Sequence, residues 1–492
     1  MKLKVKVLKL LAGRPVVVLH FNTAGKLSVR VDDRVLIERK TKSIVSVVDV
    51  STGLLKENEI AVSNEVVKRL NLKDGDNVEV NIAEQPESIE LIHKKLECHH
   101  LNKKEVHEII QDIVKNALTE TEIAYFVSAV YKCGMSMNEV RYLIDSIVST
   151  GKKLKLKGKI ADKHSIGGVA GNRTSPIVIS ICAAAGLTLP KTSSRAITSA
   201  AGTADVIETI SRVDFSVKEI YKIFKKTNAC LVWGGSLGLA PADDRLIQIE
   251  KLLHLDPEPQ LLASILSKKI AVGSKYVLID IPYGTSAKVS KKQALDLKEK
   301  FQNLGKDFDM NIKCVLTDGT NPVGRGIGPL LEIRDILSVL KRERKRPLDL
   351  EKKSIFLSGQ LLEMTETTKK GDGEKLAEEL LNSGEALRKF EEIISAQKGD
   401  INRAKNTKLS KFKKDIFAKT PGKIKSVNNK KINLIARLAG SPADKGSGIY
   451  LYKIRSDRVR KNEKILTIYS ESKIRLKDAV DCYLKSKPIA YL

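Results

Sequence analysis

The stretch from Asp162 to Glu208 limits what this chain can become more than any other. It opens with Asp162-Lys163-His164-Ser165-Ile166-Gly167-Gly168-Val169-Ala170-Gly171-Asn172-Arg173-Thr174-Ser175. After an apolar run comes Ser193-Ser194-Arg195-Ala196-Ile197-Thr198-Ser199-Ala200-Ala201-Gly202-Thr203-Ala204-Asp205. Both halves set glycines, small hydroxyl residues and a cation just ahead of a segment with helical pattern. That order aims backbone N–H groups and a helix dipole at an anion. Two such cradles in one short span point to a phosphate site.

With 492 residues, the chain has the length for about three or four domains, each with its own core. The net charge of +28 favours anionic partners. Only 4% of residues are aromatic, and no basic block is interleaved with Tyr or Phe, which argues against a nucleic-acid surface. The charge reads first as a lysine-rich solvated surface and second as steering of anionic substrates. Cys98, Cys133, Cys182, Cys230, Cys314 and Cys482 are scattered without a CxxC pair. No disulfide framework is expected, and a reducing cytoplasm fits that pattern. The opening Met1-Lys-Leu-Lys-Val-Lys-Val alternates like a strand, not a signal peptide, and the longest apolar run, from Ile177 to Leu189, is too short for a bilayer.

The expected fold class is multidomain α/β. Residues 1–84 read as a β-rich, barrel-like domain, with strands from Lys4 to Leu8, Val16 to Leu19, Lys26 to Val31 and Ile44 to Val48, then a short helix after Ser63 and a closing strand around Val78. Residues 86–152 read as helical, with capping boxes at Thr119/Glu122 and Ser136/Glu139 and C-caps at Gly134 and Gly151. His93, Cys98, His99, His100 and His107 crowd its start, but their spacing fits no zinc pattern, so no metal is expected. From 157 to 340, helices alternate with β-rich runs at 187–191, 229–233, 275–281 and 311–316, the pattern of a mixed, mostly parallel sheet with ligands beyond its C-terminal strand ends. Residues 243–272 read as two helices. The region 346–492 reads as an α+β domain, with a polar helical stretch from Leu376 to Ala396 and alternating strands from Ile424 to Ile468.

The two loop motifs resemble the signature of the thymidine phosphorylase family of nucleoside phosphorylases. Lys163-His164-Ser165-x-Gly167-Gly168 is similar to its phosphate loop, and Ser193-x-Arg195 with Gly202-Thr203-x-Asp205 and Glu208 to its second motif. The likeness continues through Ala263-Ser264-Ile265-Leu266-Ser267-Lys268-Lys269 and Asp318-Gly319-Thr320-Asn321-Pro322-Val323-Gly324-Arg325. It implies that 243–272 returns to the helical domain, leaving a cleft between two lobes, and that subunits pair at least as a homodimer. The N-terminal extension resembles that of the archaeal branch acting on AMP, where it implies a role in assembly into a larger homo-oligomer.

Phosphorolysis of an N-glycosidic bond needs a phosphate beneath ribose C1, an acid for the departing base and a clamp for the rest of the nucleoside. Lys163, Ser165, Thr174 or Ser175, Ser193, Ser194 and Thr203, with the backbone at Gly168, are expected around AMP and phosphate. Each hydroxyl alone would serve as an N-cap; convergence and resemblance carry the functional reading. Asp256 precedes Pro257, an ordinary helix opening, and the resemblance makes it the proton donor to the base. Ser264 and Lys268 match two base-reading residues of the pyrimidine enzymes, but Ile249 stands where their Arg would be. An alkyl group cannot replace a bidentate guanidinium, which argues against a thymine or uracil nucleoside. Arg195, Ala196, Ile197, Thr198 and Ser199 border the ribose end, and Lys288 adds a cation there. Arg195, Ser199 and Lys288 are therefore expected to take a 5′-phosphate.

The implied reaction converts AMP and phosphate to adenine and ribose 1,5-bisphosphate, with CMP and UMP as further substrates and no cofactor. The alternatives are a pyrimidine nucleoside phosphorylase, a phosphoribosyltransferase of similar fold working with Mg²⁺ and pyrophosphate, and, from another class, a nucleic-acid-binding protein that has lost catalysis.

Overall fold

A computed structural model describes residues 1–196 and 199–492; the expected site residues Ile197 and Thr198 lie outside the described residues. The chain divides into two compact units, Met1–Gly151 with Pro241–Ser264, and Lys152–Ala240 with Ile265–Leu492.

The first unit begins with a closed barrel of strands Lys2–Val7, Val16–His20, Arg34–Arg39, Lys42–Ser51, Glu59–Val62 and Asn77–Ile82. Alternate residues such as Leu3, Val5, Val35, Ile37, Val78 and Val80 point into its core, as period-two patterning demands. The strand expected from Lys26 to Val31 does not form. His20 Nδ1 accepts the Asn22 N–H and starts the helix Phe21–Lys26, and Ser28 then adopts φ +56, a left-handed turn that ends any extended run.

Four helices follow, Ser88–Leu96, Lys103–Lys115, Glu120–Cys133 and Met137–Thr150, and Pro241–Leu253 packs against the last three. Thr119/Glu122 and Ser136/Glu139 close reciprocal capping boxes. One reading from the cysteines needs correction. Cys98 and Cys133 form a disulfide, because the helices ending at those positions pack side by side and bring their Cα atoms to 5.2 Å. No spacing rule could foresee that pairing. His93 and His99 are exposed.

In the second unit, Ala161–Ser165, Tyr276–Tyr283 and Asn311–Asp318 form a parallel three-stranded sheet, and Leu189–Ser193 pairs in parallel with Ala229–Trp233. A single parallel bridge, Ile160 to Thr188, links the two. The apolar helix Thr174–Ala184 lies in a core shared with helices Leu348–Met364, Gly373–Asn382 and Glu385–Ala396. Two antiparallel sheets and the helices Asn429–Leu438 and Lys473–Ser486 complete the unit. Helix Asn429–Leu438 interrupts the strands expected between Ile424 and Ile468; Asn428 caps it by accepting the Lys431 N–H at 3.1 Å. No described helix is long and apolar enough to cross a membrane.

Candidate functional site

Both glycine-containing loops leave the C-terminal ends of parallel strands, one after Ser165 and the other after Ser193. Such ends leave backbone N–H groups facing outward, where ligands of parallel sheets bind. In the first loop (166–173), Gly167, Gly168 and Gly171 have φ of +87, +88 and +66. At Gly168 the geometry has a second cause: a Cβ there would stand 2.7 Å from both Lys288 N and Lys288 Cβ. The Lys288 segment is thus packed directly on the glycine loop.

Lys163 is fully buried and donates to Thr174 Oγ1 at 2.6 Å and Ser175 Oγ at 3.4 Å. Burial pushes its ammonium down to about 8, against the attraction of Asp280. Lys163, Thr174 and Ser175 therefore do come together at the start of a helix. Ser165 Oγ donates to Asp280 Oδ2 at 3.0 Å, and Asn172 Nδ2 reaches Ser165 Oγ at 3.4 Å. Asp280 is itself buried; desolvation alone would raise its pKa, but Lys353, Lys163 and Thr317 Oγ1 hold it below the ordinary carboxylate value. Behind Lys163, Asp162 accepts from Lys191 and Lys269 in a buried cluster. Desolvation first, and then the charges of Lys191, Lys269, Lys163 and Lys268, hold the His164 pKa well below the usual value.

Arg173 joins the two loops. Its Nε donates to Glu332 Oε2 at 2.7 Å, and its two terminal nitrogens donate to Thr203 Oγ1 at 3.0 Å and Ala201 O at 2.6 Å. In the second loop, Ser193 Oγ donates to Val232 O and Ser199 Oγ to Ala201 O, while Ser194 is exposed. Asp205 gathers the loop by accepting N–H bonds from Ala196 at 2.7 Å and Gly202 at 2.9 Å. Arg195 forms a bidentate pair with Glu208 at 2.7 and 2.6 Å and lies over Trp233 at 5.1 Å. That pair, with Lys445 Nζ 2.7 Å from Glu208 Oε2, draws the Glu208 pKa down to about 2. The guanidinium is oriented rather than loose.

In the first unit, Asp256 lies exposed just before buried Pro257 and the helix Glu258–Ala271. Ser264 Oγ donates to Asp243 Oδ2 at 3.0 Å, and Ile249 is 5% exposed. Lys268 and Lys288 belong to the second unit, and both are half-buried. Sequence reasoning missed Arg173, Asp280 and Asp243 as site-building residues. Arg173 had a visible signal, a cation one residue ahead of a helix within the motif; the two aspartates had none.

Three family models match in succession: the glycosyl transferase family helical bundle domain at 89–151, the a/b domain of the same family at 157–387, and the pyrimidine nucleoside phosphorylase C-terminal domain at 423–490. The AMP phosphorylase of Methanocaldococcus jannaschii is 45% identical over 91% of this chain and 89% of its own. That of Thermococcus kodakarensis is 42% identical over 99% of this chain and 97% of its own. The fold is similar to anthranilate phosphoribosyltransferase from Thermus thermophilus, at 17% identity with a TM-score of 0.53 over 63% of this chain and 99% of the other. The enzyme of the same name from Saccharomyces cerevisiae gives a TM-score of 0.51 at 15% identity, over 64% of this chain and 99% of that one.

Proposed function

The chain belongs to the AMP phosphorylases, and from that premise we propose how its loops divide the splitting of AMP by orthophosphate into adenine and ribose 1,5-bisphosphate. The observation that carries the reading is Lys163, buried and aimed at Thr174 and Ser175, with Arg173 tying that loop to Thr203. Orthophosphate lies on the glycine loop, held by Lys163, Ser165, Gly168, Thr174 or Ser175, Ser193, Ser194 and Thr203. One phosphate oxygen attacks ribose C1 from the face opposite the base. The C1–N bond breaks, its electron pair goes to the ring, and Asp256 supplies the proton that neutralises it.

Asp256 is exposed, so the acid role requires the bound nucleotide to shield it from water. Ser264, oriented by Asp243, and Lys268 read the base, and buried Ile249 offers apolar surface where the pyrimidine enzymes place an Arg. Arg195, with Ala196, Ile197, Thr198 and Ser199, and Lys288 accept the ribose end and its 5′-phosphate; Glu208 and Trp233 keep Arg195 oriented for it. The same reading extends to CMP and UMP as further substrates, to a cytoplasmic setting, and to assembly as at least a homodimer.

The experiment is to incubate the protein with AMP and orthophosphate. Free adenine and a doubly phosphorylated pentose should appear in equal amounts, undiminished by a chelator, which a Mg²⁺-dependent phosphoribosyl transfer would not survive. Lys288→Ala should lower kcat/KM for AMP by about tenfold or more while sparing adenosine, the loss of a charge-assisted contact. Equal efficiency on AMP and adenosine in the unaltered enzyme would overturn the assignment of the 5′-phosphate site.

A further inference from the structure

The two loops are held from behind by a helix that supplies no charge to the chemistry. On helix Asn429–Leu438, Asn429 and Asn433 are four residues apart and share one buried face. Asn429 is fully buried, and its Oδ1 accepts the N–H of Ala170, in the glycine loop, at 3.0 Å. Its Nδ2 donates to Gly319 O and to Ser286 Oγ, both at 2.9 Å, and Ser286 Oγ passes the connection on to Thr320 O at 2.8 Å. Ser286 belongs to the segment that carries Lys288 onto Gly168. One turn later, Asn433 Oδ1 accepts the N–H of Ala200, in the arginine loop, at 3.1 Å.

Only a primary amide has one acceptor and two donors at this reach. An aliphatic side chain at 429 would leave the Ala170 N–H and the Gly319 carbonyl unsatisfied in the interior, and a carboxylate could not donate to that carbonyl. Ile432 and Ala436 share that buried face with Asn429 and Asn433, and with Ile435 they lie in the apolar core of the C-terminal sheets, which also takes in Ala170 and Ala200.

We propose that Asn429 and Asn433 are positioning residues for phosphorolysis, Asn429 setting the glycine loop together with the Lys288 segment and Asn433 setting the arginine loop. Neither touches a ligand. The assignment of a ligand to each loop rests on the functional reading above.

Steady-state kinetics of the full chain with AMP and orthophosphate tests this. Asn429→Ala should raise KM for orthophosphate and for AMP about tenfold each, the loss expected for a buried hydrogen-bond network that holds both the glycine loop and, through Ser286, the Lys288 segment. Asn433→Ala should raise the same two constants, because the arginine loop carries Ser194 and Thr203 toward orthophosphate and Arg195 toward the nucleotide, and Asn433→Asp, which keeps an acceptor for the Ala200 N–H, should restore both. Asn429→Asp retains the acceptor for Ala170 but loses both donors; it should give an intermediate phosphate effect and stands in if Asn429→Ala does not fold. Both constants unchanged in either alanine variant, or no recovery in Asn433→Asp, overturns the proposal. If the unaltered enzyme releases no adenine from AMP, the functional reading fails separately. The thermal shift produced by orthophosphate alone then decides: its loss in Asn429→Ala and Asn433→Ala with recovery in Asn433→Asp supports the positioning role, and shifts equal to that of the unaltered protein overturn it.

Discussion

Lys163 shows how burial and charge set the chemistry of one side chain. Its ammonium is desolvated with hydroxyl partners, so it titrates at about 8 in the folded chain rather than at the ordinary lysine value of 10.5. Two opposite pH effects follow. At the proposed site an orthophosphate anion would bind the protonated form, so KM for orthophosphate should rise as pH climbs past about 8. Folding behaves inversely: between the folded and ordinary values the unfolded chain binds more protons, so this lysine's contribution to stability grows as pH rises and is lost as pH falls through that window. Lys163→Met should remove the KM break, measured by initial rates across that range, and flatten the matching part of the stability profile. Asp256 calls for a different test. Asp256→Asn should lower kcat with AMP by about two to four orders of magnitude, yet have little effect on a ribose 5-phosphate bearing a leaving group that departs without a proton. Lys163, Thr174 and Thr203 could be picked out in advance because each stands next to a glycine turn or a helix start. Asp280 could not, since its place beside Ser165 depends on strand pairing with a segment 115 residues away.

Local elements followed local chemistry where the chemistry was specific. Thr119/Glu122 and Ser136/Glu139 each close a reciprocal box within four residues, so the helix starts they mark are where the spacing put them. Alternation proved a weaker guide. Leu27, Val29 and Val31 alternate like a strand, but Ser28 takes a left-handed φ and Val31 is 54% exposed. The segment 429–438 has apolar Ile432, Ile435 and Ala436 at helical spacing, overlooked among neighbouring strands. The Cys98–Cys133 bridge joins the ends of two helices across a 35-residue separation. Replacing both cysteines with serine should lower the stability of the helical part of the first unit by about 3–4 kcal/mol, the chain-entropy value for a loop of that size. Thermal unfolding with and without reductant checks this: reductant should lower the midpoint of the unaltered protein and leave that of the double variant unchanged.

In the molecule as a whole, the N-terminal barrel closes on itself around its own apolar core. A chain starting near Pro86 should therefore retain AMP phosphorolysis and lose subunits, as counted by light scattering after size-exclusion chromatography. Retention of the full subunit number would remove assembly as the purpose of the barrel. Arg34 pairs with Glu122 and Arg245 donates to Gly13 O, so the shortened chain should also melt somewhat lower. The polar helices between 373 and 396 make a related point: their charge pattern announces helices but does not say which core they join, and they pack with Thr174–Ala184.

The order of residues was enough to mark the glycine loops and the caps, because turns, N-caps and helix dipoles are set by neighbours a few positions apart, and its motifs carried the kinship with nucleoside phosphorylases. It was silent on the amide of Asn429 reaching Ala170 across 259 residues, on Arg173 meeting Thr203, and on the pairing of Cys98 with Cys133. Those contacts arise only when strands and helices pack, since a single hydrogen-bonding residue leaves no periodic trace in the chain and its partner is chosen by the fold.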